Sequence, residues 1–309
     1  MALSAALMDT PVKYSQLEDI NDDFEQIDLE IIRHQHNLSK DLYAKRQKLV
    51  AQIPNFWALV FEQAPTDIDE YIQPSDSALL LTALKDMSVE RFELPNGDPR
   101  SLVFRFEFEE NDHFENKVLE KKFWWRRSRD GMDAGYVSEP VEIKWKSAEK
   151  DLTSGMLDLV HKNWVEDKAG ENKESATKKA LVELMEKTPL GSISFFTWFG
   201  FRGRKFTAED DAIGQKAEEE LRKKRKAGED IPDEDDEDLD EDEYEYEVFP
   251  TGDDLAVAIA EDLWPGAIQY FNEATAQEDG MSDIDFEESD EDMADGEDAP
   301  PLKKVKADA

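Results

Sequence analysis

Carboxylates are the most abundant reactive side chains in this sequence. There are 75 Asp and Glu against 37 Lys and Arg, a formal net charge of -38 over 309 residues. Paired carboxylates can share a proton or hold a cation, but here no pair is singled out. An acid–base site needs a few titratable groups set in an apolar surrounding. No acidic stretch has the calcium-loop pattern of Gly at the sixth position and Glu at the twelfth. The histidines are His34, His36, His113 and His161. His34 and His36 stand two apart on a helical pattern, so they point to different faces and cannot chelate one ion. Cysteine is absent, which removes thiol catalysis, disulfide scaffolds and Cys-ligated zinc. No glycine-rich phosphate loop and no nucleophile elbow occurs. The expectation is a non-enzymatic chain with no metal and no cofactor.

Binding chemistry is better represented. From Glu229 to Ala309 there are 32 acidic residues and 3 lysines, whereas residues 1–228 carry 43 acidic and 34 basic residues. A mildly acidic body is thus joined to a strongly acidic C-terminal third. Like charges repel, so DNA phosphates are not the expected main partner; a basic protein is. Such attraction speeds encounter and weakens with salt. Lys121, Lys122, Arg126, Arg127 and Arg129 surround Phe123-Trp124-Trp125. That composition suits an auxiliary DNA contact, and equally a strand with one solvated and one buried face. Lys303, Lys304 and Lys306 follow Pro300-Pro301-Leu302 and form a candidate nuclear-import motif. Localisation is therefore expected to be nuclear, with a cytoplasmic pool also open. Ser282 and Ser289 each have an acidic residue three positions on, Asp285 and Asp292, a favourable setting for an acid-directed kinase.

The elements that must position these groups follow from periodicity. Leu17, Ile20, Phe24, Ile27, Ile31, His34, Leu38, Leu42, Lys45 and Leu49 keep a 3–4 spacing without Pro or Gly, the a/d pattern of a coiled-coil helix. At ~1.5 Å per residue a helix from about Tyr14 to Gln52, roughly 38 residues, spans about 57 Å. That overshoots a compact domain, so the stripe needs a second copy of itself or a long bed on its own domain. Pro54 ends the helix, and Phe56-Trp57 opens a shorter one. Another helix is expected around Ser75 to Lys85, capped by Ser75 or Asp76. Strands are expected at Val89 to Leu94, Leu102 to Phe108, Val118 to Arg127 and Val141 to Trp145, joined by turns as an antiparallel meander. Helices are expected over Leu152 to Trp164, Lys179 to Lys187 and Ala208 to Lys226, with 166–178 read as a loop. A capped helix over Asp253 to Trp264 is expected to end at Pro265-Gly266. Composition beyond Gln277 is that of a disordered chain. No apolar run approaches the ~20 residues needed to span a bilayer, and the N-terminus lacks the basic leader of a secretory signal.

Ile53-Pro54-Asn55-Phe56-Trp57, Phe114-Glu115-Asn116-Lys117-Val118-Leu119, Glu142-Ile143-Lys144-Trp145-Lys146, Ser194-Phe195-Phe196-Thr197-Trp198-Phe199 and Asp262-Leu263-Trp264-Pro265 with Gln269-Tyr270-Phe271 occur in this order. Over Leu17 to Phe271 the chain thereby resembles the SET/template-activating factor branch of the nucleosome assembly protein (NAP) superfamily. The resemblance implies an α+β fold: a long N-terminal dimerisation helix, then an earmuff domain with a four-stranded antiparallel sheet covered by helices. It also implies a disordered acidic C-terminal tail. The divisions expected are a flexible 1–13, the dimerisation helix 14–53, the earmuff domain 54–202, a charged insertion 203–247, a closing helix 248–276 and the tail 277–309.

The same resemblance implies a homodimeric histone chaperone that takes core histones on a concave acidic underside. Inhibition or stimulation of a histone acetyltransferase, or inhibition of a phosphatase, is the alternative it carries; no membrane is involved. Dimer contacts are expected at Leu17, Ile20, Phe24, Ile27, Ile31, Leu38, Leu42 and Leu49. Candidate histone contacts are Thr197, Asp253, Asp254, Glu261 and Asp262. Where the animal branch has a short acidic link, this chain has Gly200-Phe201-Arg202-Gly203-Arg204-Lys205 and a long charged insertion. That insertion is expected to place acid beside the histone surface.

Overall fold

The computed structural model describes residue 12 and residues 14–170, 175–227 and 246–287. Helix α1, Tyr14–Val50, is unbroken over 37 residues. Its C-terminal half lies on the domain through Tyr43, Arg46 and Val50, while the heptad stripe faces away. Arg46 fastens the base of the helix. Its guanidinium lies 4.2 Å from the Trp264 ring and donates to the Trp264 carbonyl. Burial pulls its pKa down to about 10, which still leaves it charged at neutral pH. Short helices α2 (Phe56–Glu62), α3 (Thr66–Asp69) and α4 (Pro74–Ala83) follow. Gln73, rather than Ser75 or Asp76, caps α4, and Asp76 completes a reciprocal capping box from the third helical position.

The sheet is a meander in the order β1-β2-β3-β4, all neighbours antiparallel. Strand β2 (Leu102–Phe108) buries Phe104, Phe106 and Phe108 on one face, as its alternation requires, and β3 is Val118–Arg127. Two strands differ from expectation. β1 is Leu84–Glu90; it begins as α4 ends, and Phe92 to Leu94 belong to the following turn. β4 is Ala134–Ser138, not Val141 to Trp145. Val141 to Trp145 alternates because Ile143 enters the core and Trp145 makes a single bridge to Phe114, while the Val141 amide donates to the Phe199 carbonyl at 2.9 Å. The pattern is met by packing, without a ladder.

The aromatic run forms a 3-10 helix, Phe195–Gly200, pressed onto the sheet. Trp198 stands 5.2 Å from both Phe104 and Phe123, centroid to centroid. Such pairs add about 0.5–1.5 kcal/mol each beyond the area they bury. Helices α5 (Met156–Lys168) and α6 (Ala176–Lys187) pair over a smaller core of Met156, Val160, Leu181 and Val248. Both reach into the stretch expected as a loop.

Helix α7, Ala208–Lys226, opens on a Thr207/Asp210 capping box, with acids in its first turn and bases in its last. Its first turns lie on β3: a Cβ on Gly214 would stand 2.1 Å from the Ser128 carbonyl oxygen, so only glycine permits this approach. Its last turn reaches α1, where Arg222 pairs with Asp23, and Arg225 with Asp22 at 2.7 Å and Glu18 at 3.5 Å. The described part of the insertion is therefore a brace between sheet and long helix, not an acidic rim; residues 228–245 lie outside the described residues. The chain closes with α8 (Gly252–Ala258), a π-helical turn Ile259–Leu263 and α9 (Trp264–Glu287). Pro265-Gly266 does not end this helix. The wide turn falls just before Pro265, whose missing N–H then costs no bond. The backbone runs helically past the expected boundary at residue 277.

Candidate functional site

Two surfaces gather the residues singled out by the sequence. The first is the outer face of α1. Leu17, Ile20, Phe24, Ile27, Ile31, Leu38, Leu42 and Leu49 are all exposed, between 48% and 66%. His34 joins them in an apolar groove with Ile27, Ile31, Leu38 and Leu42. His36 instead faces the cleft between α1 and the sheet, where burial and the nearby Arg91 and Lys40 lower its pKa. A continuous apolar stripe of this length in water marks an interaction face.

The second surface lies on the closing helix. Asp253 and Asp254 stand in the first turn of α8, and Glu261 and Asp262 in the π-helical turn, about 12 Å further along by helical rise. Asp254, Glu261 and Asp262 are exposed and Asp253 is half-buried. Burial raises the Asp253 pKa, with the neighbouring Asp254 charge adding to it, and outweighs the backbone amides of Asp253 and Asp254 and the Arg204 charge, which oppose the shift. Glu261 already pairs with Arg91, Oε1 to Nη2 at 2.5 Å, and Asp262 accepts from the Tyr270 hydroxyl at 2.8 Å.

Thr197 does not join them. It is 1% exposed, one residue from Trp198 in the aromatic 3-10 helix, and offers a partner no surface. A small residue beside large aromatics is a packing requirement, and the sequence motif alone cannot tell that from a contact. Ser282 lies on the backbone of α9; Ser289, Lys303, Lys304 and Lys306 lie outside the described residues.

The basic cluster on β3 is largely neutralised from within. Lys121 is fully buried and donates to the carbonyls of Glu139, Phe199 and Phe201 at 2.9, 3.1 and 2.6 Å. Arg126 forms a fork with Glu93 at 2.6 and 2.9 Å. Arg127 pairs with Glu218 at 2.5 Å and Asp211 at 3.3 Å, both on α7. These partners were missed in the sequence. The signal was present in the reversal of charge along α7, which complements basic β3 at one end and acidic Glu18, Asp22 and Asp23 at the other. Among the described residues no group of three or more metal-ligating side chains converges, and no helix is long and apolar enough to cross a membrane.

A family model described as nucleosome assembly protein (NAP) matches residues 13–274. The chain belongs to that family. It is 26% identical to Protein SET of Drosophila melanogaster over 87% of this chain and 73% of that one. Against vacuolar protein sorting-associated protein 75 of Saccharomyces cerevisiae it is 25% identical over 91% of this chain and 87% of that one. Among solved structures, Ccp1 superposes with a TM-score of 0.52 at 25% identity, covering 85% of this chain and 95% of Ccp1.

Proposed function

We propose that this protein is a homodimeric histone chaperone that promotes nucleosome assembly, acts in the nucleus and needs no cofactor. The observation that carries the reading is the family match over residues 13–274. Two features support it. The exposed stripe from Leu17 to Leu49 needs a cover, and a second antiparallel copy supplies an identical one. The carboxylates Asp253, Asp254, Glu261 and Asp262 stand on the closing helix, and the sequence beyond residue 277 is rich in acid. Basic histones are held by these charges strongly enough to stay soluble, and more weakly than in a finished nucleosome. The mechanism is electrostatic competition and involves no bond-making step.

A pull-down with each purified histone pair across a salt series tests this. Binding is expected at physiological salt, decreasing as salt rises, and weaker after removal of residues 278–309. If the intact protein shows no histone affinity at physiological salt while the truncated one fully regulates a phosphatase or an acetyltransferase, the chaperone reading fails and the regulator reading replaces it.

A further inference from the structure

We propose that the cavity under the start of α8 receives a single lysine or arginine side chain from a basic polypeptide segment. This rests on the histone reading above and assigns it one specific contact. The cavity measures about 330 Å³, and its walls include Trp125 from β3, Tyr136 from β4, Phe201 and Val257, with Asp253 and Asp254 among its lining groups. That volume is at the small end for ligand sites and suits one long side chain.

The lining matches such a side chain from stem to tip. Aromatic and aliphatic walls accept methylene groups. The rings of Trp125 and Tyr136, packed edge-on at 5.0 Å, favour a cation nearby, although Arg100 already covers the Trp125 ring at 4.1 Å. The two carboxylates accept charge-assisted hydrogen bonds from an ammonium or guanidinium. Among the described residues neither carboxylate has a cation within ion-pair distance. Arg204 also lines the cavity, and its Nη2 lies 3.3 Å from Asp133. Asp253 is thus a partly desolvated carboxylate beside a like charge, a state that an incoming cation relieves.

Phosphate chemistry is disfavoured here by both aspartates, and so are the chain's own acidic stretches. The segment that could compete is the C-terminal one bearing Lys303, Lys304 and Lys306.

The test uses the full-length protein and two fluorescent ten-residue peptides, lysine–glycine and arginine–glycine, read by anisotropy at 0.15 M salt. The double variant Asp253→Asn/Asp254→Asn is expected to weaken binding about tenfold. Asp158→Asn/Glu186→Gln removes equal charge from exposed positions on α5 and α6 and is expected to change binding less than about twofold. Trp125→Phe keeps a ring but offers a cation a weaker face, and is expected to weaken binding about twofold. Unchanged thermal midpoints establish that the variants remain folded. Equal weakening by both double variants would mean diffuse charge attraction and overturn the site. A several-fold gain on changing Lys303, Lys304 and Lys306 to Gln would make the chain's own terminus the occupant and overturn the partner assignment. Histone pull-downs run in parallel separate the two claims. If histones bind and the aspartate pair is indifferent, the cavity proposal alone fails. If the unaltered protein binds no histone, the functional reading fails with it.

Discussion

Asp76 holds three segments with one carboxylate. It accepts from the Gln73 amide at 3.0 Å, the Ser194 hydroxyl at 2.6 Å and the Phe195 amide at 2.7 Å, the last two bonds away from water. Asp76→Ala leaves these donors without a partner and is expected to cost about 3 kcal/mol in denaturant unfolding. Asp76→Asn retains acceptor capacity and should cost less. Asp98 shows the opposite electrostatics. Burial opposes its charge, but the Arg100 fork and Arg127 outweigh burial and hold its pKa below the ordinary 3.8. Between the depressed value and 3.8 the unfolded chain binds more protons than the folded one, so stability falls as pH falls through that window. Asp98→Asn is expected to cost about 2 kcal/mol at neutral pH. Its deficit against the unaltered protein should shrink as acid unfolding is followed below pH 4. A deficit independent of pH would remove the ion-pair account. The sequence offers Asp76 as a helix cap, but its bonds to Ser194 and Phe195, like the Arg127 charge near Asp98, depend on segments brought together by the fold.

At the scale of elements, α7 is the part that the family pattern did not foretell. Its ends are tied by ion pairs to β3 and to α1, and each surface pair contributes only about 0–1 kcal/mol. The brace therefore acts as a network. Arg222→Glu with Arg225→Glu faces Asp22, Asp23 and Glu18 with like charge. Hydrogen exchange in the first turns of α1 should rise several-fold while exchange in β2 and β3 stays unchanged, and 1 M salt should reproduce part of the effect. Unaltered exchange would mean that α1 needs no brace. β2 and most of α1 were legible from spacing alone: period 2 reports the buried face of β2, and the heptad repeat reports the apolar stripe that α1 leaves exposed. β4 was missed because it is short and carries Gly135 inside it, which weakens a strand signal. Gly135 serves a close approach, with Arg204 Cγ 2.9 Å from where its Cβ would stand. The closing helix was cut short because proline normally stops a helix, and a π-helical turn has no sequence signature strong enough to overrule that.

For the whole molecule, the decisive property is an apolar stripe that one chain cannot bury. Replacing Phe24, Ile27 and Ile31 by Glu is expected to give monomers in sedimentation, with the earmuff core intact by near-ultraviolet dichroism because these side chains touch none of it. Unchanged mass would sink the coiled-coil argument. Of the candidate contacts, Asp254, Glu261 and Asp262 are exposed and Asp253 is half-buried, whereas Thr197 belongs to the core. A motif that recurs for packing and one that recurs for contact look alike until depth is known.

Depth also separates two neighbours on β3. Lys121 is sealed under three carbonyls, and burial pulls its pKa to about 7, while Lys122 is partly exposed. The pair is a built-in reporter for chemical labelling. An amine-reactive reagent should modify Lys122 readily and Lys121 only when the 3-10 helix lifts from the sheet. Their labelling ratio, read from one peptide fragment, measures that opening without any engineered probe.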